Sequence, residues 1–102
     1  MSEASARLSV GAGDTITVSG LLSVDTVARY RDEGVDLMDD VPTVAFDLSA
    51  CEVKGSAAIA LLISWQRAAI RLGKDIEFRN APENLLAIAE ACGVDHIIPF
   101  AS

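Results

Sequence analysis

One serine stands where a hydroxyl could do chemistry. Ser56 follows Lys54-Gly55 and opens Ala57-Ala58-Ile59-Ala60-Leu61-Leu62-Ile63, at seven residues the longest apolar run in the chain. A hydroxyl at the start of a buried helix has an ordinary structural use, which is to accept a backbone N–H bond as the helix cap. The same geometry suits a phosphate or an acidic group of a partner, because free N–H donors and the helix dipole favour negative charge there. Lys54 adds a positive charge, and the small residues Gly55, Ala57 and Ala58 let another backbone approach closely. Ser56 is therefore the candidate contact or regulatory residue.

Other reactive side chains form no catalytic pattern. His96 is the single histidine, set in an apolar tail, and reads as a surface or partly buried ring with a local hydrogen bond. Cys51 and Cys92 lie 41 positions apart without a CxxC. One bridge is open in principle, but two small buried thiols in a reducing cytosol is the preferred reading. No spacing brings a cysteine to His96 as an activated nucleophile, and zinc-ligand spacing is absent. Neither GxGxxG nor GxxxxGK[ST] occurs, so the usual phosphate-cradling loops are missing. Asp39-Asp40 reads as a solvated pair after a helix. No catalytic residue, cofactor or metal is expected.

A chain of 102 residues, 51% hydrophobic and 23% charged, is of globular composition and makes one domain with one modest core. Three Phe, one Tyr and one Trp leave that core to Ala, Val, Ile and Leu. The net charge of −7 argues against a nucleic-acid binder and against a polybasic membrane anchor. Residues 1–53 hold ten acids against three bases, whereas 54–102 are balanced, so the second half is where an acidic partner surface is tolerated. No apolar run approaches a membrane span, and the first residues lack a secretory pattern. A cytoplasmic location follows as the expectation.

The elements that must position Ser56 follow from periodicity. Residues 1–5 read as frayed. Arg7–Val10 and Thr15–Ser19 alternate as strands around a Gly11–Asp14 turn, which makes a hairpin. Ser23 reads as a helix N-cap with Asp25 in the first turn. Val24, Val27, Ala28, Val35 and Met38 form the inner face, and Gly34 weakens the middle. Thr43–Leu48 reads as a buried strand and Ser49–Gly55 as a loop. Ser56–Leu72 is the strongest helix, with its first two turns covered all round and Gln66, Arg67 and Arg71 outward; Gly73 stops it. Asp75–Arg79 alternates as a strand. Pro82-Glu83 starts a helix with Leu85, Leu86, Ile88 and Ala89 inward, stopped by Gly93, and Val94–Phe100 is a helical turn or strand-like tail. Strand, helix and strand from Thr43 to Phe78 fit a parallel crossover. The fold class is α/β: a small mixed β-sheet with helices packed against it.

The stretch Asp47-Leu48-Ser49-Ala50-Cys51-Glu52-Val53-Lys54-Gly55-Ser56-Ala57-Ala58-Ile59-Ala60-Leu61-Leu62 resembles, without a gap, the STAS signature D-L-S-G-V-x-φ-φ-D-[ST]-[SAG]-G-L-x-x-L, where φ is apolar. Trp65-Gln66-Arg67, Gly73-Lys74-Asp75-Ile76-Glu77-Phe78, Pro82-Glu83-Asn84-Leu85 and Gly93-Val94-Asp95 extend the resemblance to about residues 6–100. Together they look most like the MlaB-type STAS subunits of bacterial phospholipid ABC transporters. The resemblance implies a STAS-like (SpoIIAA-like) fold and puts Ser56 on the family's Ser/Thr, the phosphoacceptor of anti-sigma-factor antagonists. Among its departures, Gly55 replaces the acidic residue before the hydroxyl, Ala58 replaces a glycine, and Lys54 replaces an apolar residue.

The resemblance implies a non-enzymatic module whose partner is an ABC transporter ATPase. Lys54, Gly55, Ser56, Ala57 and Ala58, with Gln66, Arg67 and Arg71, would form the contact surface. Location would be cytoplasmic, peripheral to the inner membrane through that partner. The alternative is an anti-sigma-factor antagonist, switched when an anti-sigma factor kinase phosphorylates Ser56. Neither reading involves nucleic acid or direct membrane insertion.

Overall fold

Alternating β-branched residues become the sheet that carries the rest of the fold. The computed structural model describes residues 7–101, and the expected fraying of 1–5 lies outside them. Strands β1 (Arg7–Val10) and β2 (Thr15–Leu22) pair antiparallel, with Leu8 opposite Val18 and Val10 opposite Ile16. The reversal uses left-handed backbone at Gly13 and Asp14 (φ 70° and 61°), which those residue types accept more readily than branched ones. Strands β3 (Val44–Val53) and β4 (Ile76–Arg79) each add in parallel, giving the order β1-β2-β3-β4. Helices α1 (Val27–Met38), α2 (Ala57–Arg71) and α3 (Glu83–Ala91) alternate with the strands along the chain. The architecture is therefore a small α/β fold with a four-stranded mixed sheet and three helices.

Register decides which side of the sheet is covered. Ile16, Phe46 and Phe78 are neighbours across three strands, and all are fully buried. Trp65 of α2 stacks on Phe46, with centroids 4.0 Å apart and planes 5° from parallel, and Phe78 lies 6.4 Å from the indole. Such ring pairs contribute about 1 kcal/mol each beyond the area they bury. The residues between them, Thr17, Asp47 and Arg79, also share a rung, but on the other side, where they are half-buried or exposed. A one-sided sheet follows, with an apolar face under the helices and a polar face toward solvent.

Two close contacts fix the helices. Gly34 of α1 is buried against Trp65, and a methyl group built there would fall inside the indole ring. The indole N–H donates to the Arg31 carbonyl at 3.3 Å. Beyond α2, the Lys74 ammonium donates to the carbonyls of Met38 (2.6 Å) and Val41 (2.7 Å), satisfying the C-terminal end of α1 with the charge its dipole favours. The chain finally returns to β4: Phe78 N–H donates to the Pro99 carbonyl (3.0 Å) and Ala101 N–H to the Phe78 carbonyl (2.8 Å), so Phe100 bridges Phe78 in parallel.

Several expectations from the sequence need correction. Ser49–Val53 is strand rather than loop, because β2 runs on to Leu22 and Ser19 to Leu22 pair with Ala50 to Val53 past a bulge. Thr26, not Ser23, is the N-cap residue of α1. Its hydroxyl accepts the Ser23 N–H (3.0 Å) and donates to the Leu21 carbonyl (2.7 Å), while Ser23 is buried and Asp25 precedes the helix. Gly34 does not weaken α1; it gives the helix its closest packing. Val24 and Ala28 are exposed, whereas Met38 is buried as expected, Val27 and Val35 pack half-buried against the core, and Tyr30 and Gly34 complete the buried face. The start of α2 is not covered all round, since Ala60 is exposed. Leu86 points outward at 40% exposure, and Cys92 is an exposed thiol.

Candidate functional site

The junction between β3 and α2 turns on one glycine. After Val53, Lys54 N–H donates to the Leu22 carbonyl (2.9 Å), which holds the junction to the end of β2. Gly55 then takes φ 78° with nothing within 4 Å of a built methyl group, so backbone conformation and not crowding favours glycine there. Ser56 follows at the N-cap position, exposed, and its side chain makes no capping bond. The simplest reading of Ser56 as a helix cap is therefore incorrect, and its hydroxyl is left for solvent or for another molecule.

Lys54, Gly55, Ser56 and Ala57 form one wall of a groove of about 570 Å³, and Leu21, Ser23, Val24 and Asp25 form the other. Leu21 is 40% and Val24 78% exposed, so a site headed by a hydroxyl also offers apolar surface. Lys54 and Asp25 give it one charge of each sign, and α2 has no acidic residue in its first turn to offset the positive end of its dipole. The Leu21–Asp25 wall was not legible locally, because only the pairing of β2 with β3 brings it to Ser56.

The surface continues along α2. Arg67 lies eleven residues from Ser56, which is three turns and about 16 Å along the same side of a helix. Ala60, Arg67, Ile70 and Arg71 are all exposed, Ile70 at 68%. Helical spacing from Arg67 was the available signal for Ile70. Two sequence candidates belong elsewhere. Ala58 is fully buried and cannot present itself to a partner, because its position turns it under α2. Gln66 is half-buried and donates to the Ile97 carbonyl at 3.2 Å, tying α2 to the C-terminal segment.

Among the described residues, the reactive side chains sit as follows. Cys51 is half-buried in β3, its thiol donates to the Val18 carbonyl at 3.3 Å, and burial, with the Asp47 charge adding, pushes its pKa up to about 12. A thiolate nucleophile is accordingly scarce at neutral pH. His96 is exposed, with its ring 3.9 Å from the Asp95 carboxylate. Asp47, on the open face of the sheet, accepts the Ser49 amide (2.9 Å) and the Asn80 side chain (3.2 Å). The Ser49 bonds, then Asn80 and the Arg79 charge, outweigh desolvation and hold its carboxyl below the usual range. Arg79 in turn pairs with Glu77 and donates to Thr15 (3.2 Å), so this cluster ties β2, β3 and β4 together. Among the described residues no group of three or more His, Cys, Asp or Glu could hold a metal ion, and no helix is long and apolar enough to cross a membrane.

A family model described as "Mlab, STAS domain" matches residues 6–99. Solved structures share the fold at low identity. The anti-sigma-factor antagonist SpoIIAA in its unphosphorylated form aligns with a TM-score of 0.69 and 15% identity, over 96% of this chain and 89% of that one. An anti-sigma-factor antagonist (STAS) domain protein from Planctomyces limnophilus aligns at 0.68 and 20% identity, over 96% and 89%. RsbS from Moorella thermoacetica aligns at 0.68 and 19% identity, over 94% and 85%. No match to a curated protein sequence was found.

Proposed function

The chain belongs to the Mlab-type STAS domain family, and on that premise we propose that it is a non-enzymatic docking subunit for the ATPase of a phospholipid-type ABC transporter. The observation that carries this reading is the uncapped, exposed Ser56 hydroxyl, set in a groove that runs onto the exposed side of α2. The apolar side chains of Leu21, Val24 and Ile70 would be buried by the partner, each contributing on the order of 1 kcal/mol. Arg67 and Arg71 offer donors to carboxylates at the rim, which sets orientation more than affinity. Ser56, at the positive end of α2, offers a hydroxyl to an acidic or carbonyl oxygen. The subunit would work in the cytoplasm, reach the inner membrane only through the transporter, and stabilise or control the ATPase without hydrolysing anything itself.

Co-purification with such an ATPase tests the surface. Ser56→Glu is expected to weaken binding by roughly tenfold or more, since an interface centre tolerates a misplaced charge poorly, and Arg67→Glu, at the rim, by less. Wild-type binding by both variants would remove this surface from the proposal.

A second reading is supported by the same hydroxyl, because a serine not engaged in capping is open to a kinase. In that reading the chain is an anti-sigma-factor antagonist, and a phosphate on Ser56 adds about two negative charges at the contact. Intact mass after incubation with an anti-sigma factor kinase and ATP separates the two. One phosphate, absent from Ser56→Ala, supports the switch. No phosphate on either the wild type or Gly55→Asp, which restores the family's acidic residue at a left-handed φ that aspartate tolerates better than most residues, excludes it.

A further inference from the structure

Helix α3 uses Leu85 and Ala89 to face the core, yet carries a second large apolar residue on its outside. Glu83, Leu86, Ala87 and Glu90 recur at helical spacing as one outward stripe, about 10 Å from first to last. With Asp95 and Phe100 they line a groove of about 520 Å³. Its floor is apolar: Leu86 is exposed, and half-buried Phe100 rests tilted on Phe78 at 6.3 Å. Its rim holds three carboxylates and no Lys or Arg; Asp95 lies 3.9 Å from the His96 ring, and neither Glu83 nor Glu90 has an ion-pair partner among the described residues. The groove shares no residue with the one at Ser56.

We infer that this groove is a second docking site, for a basic amphipathic helix supplied by a protein partner. One large apolar side chain of that helix seats between Leu86 and Phe100, and a Lys or Arg about one turn to either side faces Glu83 and Glu90. Charge selects this occupant. An anionic lipid surface or a nucleic acid would meet three like charges, and a second copy of a chain carrying −7 would approach against its own repulsion. The inference stands apart from the reading of Ser56 and does not require it.

The test uses the full chain and a labelled synthetic helix of roughly four turns carrying one Leu with an Arg a turn to each side. Saturable binding is expected, weaker at higher salt because the rim charges are exposed. Leu86→Ser and Glu90→Arg should each reduce affinity roughly five- to tenfold, while Ser56→Glu leaves it unchanged. Both substituted residues are exposed, so melting curves should confirm that the variants fold. Absence of binding, equal binding by a peptide with Glu in place of Arg, or indifference to both groove variants would overturn the inference. Leu86-dependent self-association in sedimentation would also overturn it, in favour of a second copy as occupant.

Discussion

Two places on helix α2, nine residues or about two and a half turns apart, differ in how they meet the rest of the molecule. At Trp65 the contact with α1 is filled to the last atom: no side chain fits at Gly34, and the indole is fixed by a hydrogen bond and two aromatic neighbours. At Ser56 the helix faces the Leu21–Asp25 segment across open volume, with an unused hydroxyl and no methyl-sized obstacle at Gly55. The first contact locks α1 against α2; the second holds residues that the fold does not consume. Within one helix, sensitivity to substitution should therefore fall steeply from the middle to the head.

Gly34→Ala should show the largest effect. Overpacking against a rigid indole costs about 1–3 kcal/mol, or a drop of several degrees in Tm per kcal/mol for a domain of this size. Adding Trp65→Phe should recover part of that loss, and additive losses in a double-mutant cycle would break the proposed contact. Lys74→Met comes next. It keeps the aliphatic stem but removes two charge-assisted bonds to the end of α1, for an expected 1–2 kcal/mol by urea titration. At the head of α2, Ser56→Ala should change stability by less than about 0.5 kcal/mol, against the ~1 kcal/mol typical of a working N-cap. A full-sized loss there would mean that the hydroxyl caps the helix in solution and would narrow the contrast.

Asp47→Asn should show the smallest effect, fully present near neutral pH and fading in acid. The folded carboxyl titrates below its unfolded value, so its contribution is complete above about pH 4 and is lost as pH falls through the folded value. The wild type should accordingly lose stability faster than the variant below that pH, and parallel acid denaturation curves would show that the Ser49 and Asn80 bonds matter little.

How far the sequence revealed this depended on the range of the interaction. The hairpin, the parallel crossover and α2 are written in local alternation and helical spacing, and the Asp47–Leu62 stretch carries the family's pattern. Ser49–Val53 hid its strand because Ser49 and Glu52 break any regular apolar alternation; it is extended only because Ser19–Leu22 pairs beside it. Gly34 looked like a weak point because its reason lies 31 residues away at Trp65. The same rule held at the site. Lys54, Gly55 and Ser56 were evident from their place before an apolar run. The opposite wall, Leu21 and Val24, depends on strand pairing, and the burial of Ala58 depends on which way α2 is turned.

The short return of Pro99–Ala101 onto β4 has a consequence for the molecule as a particle. A parallel outer strand ordinarily presents a ladder of free amides and carbonyls on which another chain can crystallise into a growing ribbon. Here Phe78 spends both of its backbone groups on that return segment, and the ladder is interrupted at its apolar rung. A three-residue patch of backbone thus guards the β4 edge against runaway stacking.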